Sequence, residues 1–210
     1  MFLIEQIENV FQLVALGILT FLTIYRSVTT HNRIWGLLSM FYATVTLGNL
    51  YWFLYMMFYQ ETPFYDFIPD FCWMSSVLFM VVLLLQIRKT EWNWRENKAY
   101  LLIPVFTFAM ALFYMRWGEY LSNIAYAIAM TILLYCSLKG LFEVEKESRK
   151  STLYFVTTAY CVVEYCLWTA SCFSWEGFIV NPYLILDIML TLVYIALYPA
   201  AGRVVRDELH

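Results

Sequence analysis

Three acidic residues lie within apolar stretches of this sequence, where a buried charge is costly. Glu164 is near the middle of the stretch 152–175, whereas Asp187 and Asp70 lie closer to the ends of theirs. A carboxylate at the centre of a membrane span costs about 2.5–3.5 kcal/mol on insertion scales. No Lys or Arg occurs at a matching depth. Glu164 must therefore be protonated, be hydrated in a cavity, or meet a cation that enters from outside.

Aromatic and amide side chains recur at three- and four-residue steps, on the same helical faces as the acids or on similar polar faces of other stretches. Trp168 follows Glu164 by four residues, and Trp73 follows Asp70 by three. Carboxyls beside aromatic rings, with no internal base, suit a cation, an amine or a proton. The predicted ligand-binding residues are Glu164, Asp187, Trp168, Trp73, Asn49, Asp70 and Asn123.

A structural interpretation competes at each position, because polar groups inside a helical bundle often only join helices by hydrogen bonds. Such bonds are worth about 0.6 kcal/mol on average. This interpretation suits Asn49, Asn123 and Asp70, and it is evenly matched with a functional one for Asp187. A central acid such as Glu164 favours function.

Seven apolar stretches must position these side chains. The chain has 210 residues, of which 62% are hydrophobic and 14% charged, whereas about 25% of a soluble domain is charged. Spans of about 20 residues would use most of the chain. The sequence therefore predicts an all-α, integral membrane seven-helix bundle forming a single domain. The predicted spans are about 8–26, 34–59, 67–87, 100–115, 120–142, 152–175 and 182–202.

The basic residues fall almost entirely on one side of these spans. Twelve of the 13 Lys and Arg residues lie in the first, third and fifth connections, at the span ends beside them, or at the C-terminus, and only Arg116 lies on the other side. Positive charge near span ends stays cytoplasmic. We therefore expect the N-terminus outside and the C-terminus in the cytoplasm. The polar positions lie mostly in the outer halves of the spans, which predicts a pocket open to the outside.

Several familiar chemistries lack the residues they need. The last span has no Lys for a retinal Schiff base, and His31 and His210 both lie outside the spans, so histidine-ligated zinc chemistry is disfavoured. A hydrolase built on Glu164 and Asp187 has no positive signal. The sequence predicts no catalytic residue, no cofactor, no metal site and no nucleic-acid partner.

Two cysteines, Cys72 and Cys172, lie near the outer ends of their predicted helices and could in principle form a disulfide. Free cysteine, however, commonly packs as a small apolar residue. We therefore favour free thiols at both positions.

Two short strings in the second and third spans carry a resemblance. Gly48–Trp52 reads GNLYW and Pro69–Trp73 reads PDFCW, and together they look similar to multi-span sensory modules of bacterial signalling proteins. In that group the module precedes a kinase or diguanylate cyclase domain. No output domain follows in this sequence, so the resemblance implies either a relative that works through a partner or a part of a longer chain.

The expected function is that of a receptor-like or sensory protein of the bacterial cytoplasmic membrane. Its partners would be the lipid bilayer, a small cationic ligand, and a cytoplasmic or membrane signalling protein. The alternative is a transporter or channel for a small solute, cation or proton. A transporter should show a second polar path to the inner side, whereas the inner halves of these spans are mainly apolar.

Overall fold

The computed structural model describes residues 2–60, 67–88, 98–117, 119–143, 148–175 and 181–208. Within these ranges the chain forms seven α-helices and one 3-10 turn, Lys98–Leu101, with no strand. The predicted all-α class is confirmed. The helices are α1 Phe2–Thr30, α2 Arg33–Tyr59, α3 Phe67–Ile87, α4 Leu102–Tyr114, α5 Tyr120–Glu143, α6 Arg149–Ser171 and α7 Pro182–Glu208.

Five of the described helices are long and apolar enough to cross a membrane, namely α1, α2, α3, α5 and α7. The other two differ for separate reasons. Helix α4 has 13 residues, which span only about 20 Å. Helix α6 has 23 residues, but Glu164 and several Thr and Ser residues lower its hydropathy.

Helix bounds differ from the predicted spans mainly in α1, α6 and α7. Helix α1 runs beyond residue 26 and ends at Thr30. The next residue, His31, has a positive φ of 51°. The side chain of Asn32 then accepts a hydrogen bond from the Ile34 amide at 2.8 Å and caps α2. Helix α6 ends at Ser171 instead of residue 175, and α7 continues to Glu208. Hydropathy identifies the apolar part of a helix, whereas capping residues fix where the helix ends.

Six helices form a closed ring in the order α1, α2, α3, α5, α6 and α7, and α7 returns to pack on α1. Helix α4 packs on the outside of α5. It also reaches α6, because the Tyr114 hydroxyl donates to the Tyr165 carbonyl oxygen at 3.1 Å. The N-terminal parts of α1 and α7 lie together, because Glu8 is beside Asp187, and those of α3 and α5 lie together, because Asp70 is beside Ser122. The end of the ring that carries these acids is hereafter the acidic end. The opposite end is called the basic end.

Ion pairs and hydrogen bonds join three helices at the basic end. Lys139 of α5 is 1% exposed, and its Nζ lies 3.3 Å from a carboxyl oxygen of Glu143. The same carboxyl group is 3.5 Å from Arg88, which follows α3. Lys150 of α6 donates to the Ile87 carbonyl oxygen at 3.0 Å. These contacts fix α3, α5 and α6 against one another at this end.

Gly140 sets the spacing between α5 and α6 beside that cluster. A Cβ at position 140 would lie 2.2 Å from Tyr154 Cε1, and Tyr154 is fully packed in the core. We expect Gly140→Ala to lower the free energy of unfolding by about 1–3 kcal/mol, because the ring has no space to move. The measurement is thermal unfolding of the detergent-purified protein.

Gly17→Ala is the matched control, since a Cβ there meets nothing within 4 Å. Equal unfolding temperatures for the two variants would contradict the close packing of α5 on α6.

Candidate ligand-binding site

A cavity of about 830 Å³ opens at the acidic end of the ring. Side chains from all six ring helices line this cavity, together with residues at the two ends of the α6–α7 connection. Its volume lies in the range of small-molecule pockets. The polar and aromatic residues that line it are Glu8, Asn9, Gln12, Asn49, Trp52, Trp73, Tyr126, Glu164, Trp168, Ser171, Phe173, Trp175, Asn181, Tyr183, Asp187 and Tyr194.

A chain of side-chain hydrogen bonds crosses four helices at the wall of this cavity. The Trp73 indole N–H donates to Asn49 Oδ1 at 2.8 Å, and Asn49 Nδ2 donates to Gln12 Oε1. Gln12 Nε2 then donates to Asp187 Oδ1 at 2.8 Å and to Thr191 Oγ1 at 3.0 Å. Both ends of the Gln12 amide are thereby satisfied, so its orientation is fixed. Gln12 ties α1 to α2 and α7.

The carboxyl groups of Glu8 on α1 and Asp187 on α7 lie beside each other. Both residues are 7% exposed. Within the described part of the chain, Glu8 Oε1 is buried without a hydrogen-bond donor. A carboxylate oxygen only accepts hydrogen bonds, so this atom has capacity for a proton or for a cationic donor.

Glu164 of α6 lies in a separate part of the cavity, among tyrosine hydroxyls. Tyr194 Oη donates to Glu164 Oε1 at 3.4 Å, longer than a usual O–H···O bond. The Tyr160 hydroxyl also lies beside this carboxyl group. Tyr194 is held in turn from α2, because Tyr42 Oη donates to the Tyr194 carbonyl oxygen at 2.7 Å. Glu164 is 5% exposed.

Aromatic rings form the walls between these acids. The Trp52 and Trp73 ring centroids are 6.0 Å apart, and those of Tyr126 and Trp168 are 3.8 Å apart. Gly48 allows the first contact, since a Cβ there would approach Trp73 Nε1 to 3.0 Å. Ring faces carry partial negative charge and attract cations within about 6 Å.

The charge of the site is one-sided. Among the described residues that line the cavity there is no Lys, Arg or His. The ion pairs found in the described ranges involve Glu143 at the basic end and none of the three cavity acids. Negative charge in a concave site with low-dielectric walls raises the local concentration of cations. Such a site can bind a cation and repels an anion.

Five of the seven predicted site residues line the cavity together: Glu164, Asp187, Trp168, Trp73 and Asn49. Asp70 and Asn123 are not among the described residues that line it. Asp70 lies beside Ser122 of α5, and Asn123 Nδ2 donates to the Tyr114 carbonyl oxygen at 3.1 Å. Both side chains join helices, which is the structural interpretation. Three further acidic residues of the sequence, Glu61, Asp66 and Glu176, lie outside the residues that the structure describes.

Glu8 and Gln12 were missed by the sequence interpretation. They are four residues apart and therefore share a helical face, which was the available signal. Glu8 stands at the edge of the first apolar stretch, where an acid is unremarkable. Its role becomes visible only through Asp187, which is distant in sequence.

The thiols of Cys72 and Cys172 are both free. Cys72 is buried against α2, since a Cβ added at Gly48 would lie 3.1 Å from the Cβ of Cys72. The disulfide that sequence position allowed is therefore absent from this structure. Cys72 serves as a small packing residue.

No protein-family model, curated protein or solved structure matches this chain. The site must therefore be interpreted from its own chemistry.

Substituting Gln12 tests the hydrogen-bond chain. Gln12→Met keeps the side-chain length but leaves Asn49 and Asp187 without their shared partner. We expect the free energy of unfolding to fall by about 1–2 kcal/mol, measured by thermal unfolding in detergent.

Gln6→Met, on the same helix, is the control, because Gln6 Nε2 is already buried without a partner within the described ranges. It should leave stability unchanged or raise it. If Gln6→Met lowers the free energy of unfolding as much as Gln12→Met does, the hydrogen bonds that run from Trp73 to Asp187 add nothing to stability.

Proposed function

We propose that this chain is a seven-span integral membrane protein of receptor-like type, and that it binds a small organic cation in the cavity at its acidic end. The observation that carries the proposal is the burial of three carboxyl groups in one cavity whose described walls supply no cation. Buried charges in proteins are paired or neutralised. An ammonium ligand would complete the site.

Membrane insertion of all seven helices is supported by how the short helix α4 and the less apolar helix α6 are packed. Helix α6 places Glu164 and Thr157 inside the ring, at 5% and 0% exposure. Its outward positions Phe155 and Val162 are apolar and more than half exposed. Its 23 residues span about 34 Å, enough for a bilayer core of about 30 Å. Helix α4, with the 3-10 turn before it, presents Leu102, Val105 and Phe108 outward.

The orientation follows from the charges at the two ends of the ring. The basic end carries Arg33, Arg88, Lys139 and Arg149 in or beside the helix ends, whereas Arg116 lies near the acidic end. Cytoplasmic ends of spans carry the excess of Lys and Arg. The acidic end and the cavity mouth then face outside, where a ligand arrives from solution.

A receptor-like role is favoured over transport by the basic end. Arg88 and Lys139 join α3 to α5 there through ion pairs with Glu143, and the side chains of both cations are more than nine-tenths buried. A permeating cation would have to pass two positive charges that share a single carboxylate, which is unfavourable. In this proposal ligand binding produces a signal that a cytoplasmic or membrane partner receives, as the resemblance to bacterial sensory modules implies.

Binding is tested by thermal stability of the purified protein with butylamine, phenethylamine or tetramethylammonium. We expect stabilisation by at least one cation, reaching about 2.7 kcal/mol when the ligand is at 100 times its Kd. Butanol and acetate should have no effect. Glu164→Gln should weaken the stabilisation, because it removes the deep carboxyl group and leaves only Glu8 and Asp187.

Asp70→Asn is the matched control, because Asp70 lies beside Ser122 and is not among the described lining residues. It should keep the response of the parent protein. The proposal fails if every cation stabilises the parent and Glu164→Gln equally. Uptake of the same cation into proteoliposomes would replace the receptor-like role with transport.

Orientation is tested separately with reporter fusions. Green fluorescent protein fused after residue 208 should fluoresce, since it folds in the cytoplasm. Alkaline phosphatase at the same position should be inactive. The opposite pair of results would place the acidic end inside and overturn the proposed topology.

A further inference from the structure

The three acids form two separate negative poles within the cavity. One is the pair of Glu8 and Asp187, hereafter the pair pole, between α1 and α7. The other is Glu164 on α6, which accepts a hydrogen bond from Tyr194 and lies beside Tyr160. No group of three acidic, His or Cys side chains among the described residues converges closely enough to hold a metal ion. The two poles therefore do not meet at one point.

Each pole offers acidic oxygens without a base beside them. At the pair pole, Glu8 Oε1 is buried and has no hydrogen-bond donor in the described part of the chain. At the other pole, Glu164 receives a hydroxyl donor from Tyr194, which does not neutralise a carboxylate. No Lys, Arg or His lies among the described lining residues, so each pole can accept one ammonium group.

A ligand with one ammonium group would satisfy one pole and leave the other buried without a counter-charge, which is costly. A divalent metal ion cannot contact both poles at once. We infer that the cavity takes an aliphatic diamine, with one ammonium at the pair pole and one at Glu164. This inference rests on the proposed function and narrows its ligand class.

The walls between the poles suit the chain of such a ligand. Trp168 lies one helical turn from Glu164 on α6 and stacks edge-on with Tyr126 at 3.8 Å. Trp73 stands near the pair pole through Asn49 and Gln12. Ring faces can pack against methylene groups and attract the ammonium at either end. The separation of the poles then selects the number of methylenes.

The experiment compares diamines with monoamines of equal length on the full chain in detergent. Diamines with three to eight methylenes are titrated beside the matching alkylamines by isothermal calorimetry. The best diamine is expected to bind at least 10-fold more tightly than its matched monoamine, with a clear optimum in length. Glu164→Gln should reduce this ratio to about 1 while monoamine binding at the pair pole remains.

The double variant Glu8→Gln/Asp187→Asn should also reduce the ratio of diamine to monoamine affinity to about 1, because it removes the pair pole. Asp70→Asn should keep the ratio of the parent protein. Equal affinity of diamines and monoamines for the parent protein would overturn the two-pole inference while leaving a cation site in place. Absence of binding by both classes would overturn the inference together with the proposed function. The parent protein alone decides between these results, so a variant that fails to fold does not obscure them.

Discussion

The cost of burying carboxyl groups without a neighbouring base shapes the acidic end of this protein. Glu8, Glu164 and Asp187 are each more than nine-tenths buried, and the described cavity wall supplies hydroxyl, amide and indole donors in place of Lys or Arg. Hydrogen bonds from neutral donors support an acid without cancelling its charge. Because the donors come from several helices, the arrangement of these helices follows from the need to surround three acids.

Charged side chains are stabilised differently at the two ends of the ring. At the basic end Lys139 and Arg88 share the carboxyl group of Glu143, so each cation has a partner of opposite charge within the protein. Gly140 and Tyr154 pack there without free space, which fixes α5 against α6. At the acidic end the cavity acids have no cationic partner among the described lining residues, and the helices part around a cavity. The protein is therefore closed by ion pairs at one end and held by a hydrogen-bond network at the other.

Sequence periodicity predicted the helical class and brought Glu164, Asp187, Trp168, Trp73 and Asn49 together, because residues at three- and four-residue steps share a face. It did not distinguish Asp70 and Asn123, which are not among the described lining residues, since periodicity does not reveal whether a face points into the ring or toward a neighbouring helix. Asn123 faces α4, and nothing local to α5 says that α4 packs there. The role of Glu8 could not be predicted from the sequence, because Asp187 comes to lie beside it only when α7 packs on α1. Contacts between helices far apart in sequence depend on ring order, which short-range patterns do not contain.

The depth of Glu164 gives the site an electrical property in the proposed orientation. Glu164 is seven residues from the end of α6, about 10 Å along the helix and roughly a third of the way into a hydrocarbon core of about 30 Å. A charge that crosses the whole membrane gains about 2.3 kcal/mol per 100 mV. An ammonium group at Glu164 would gain about a third of that value, or roughly 0.8 kcal/mol per 100 mV. Since the interior of a cell is negative, occupancy of the cavity by the proposed cation would rise with membrane potential, and the proposed receptor would respond to that potential as well as to ligand concentration.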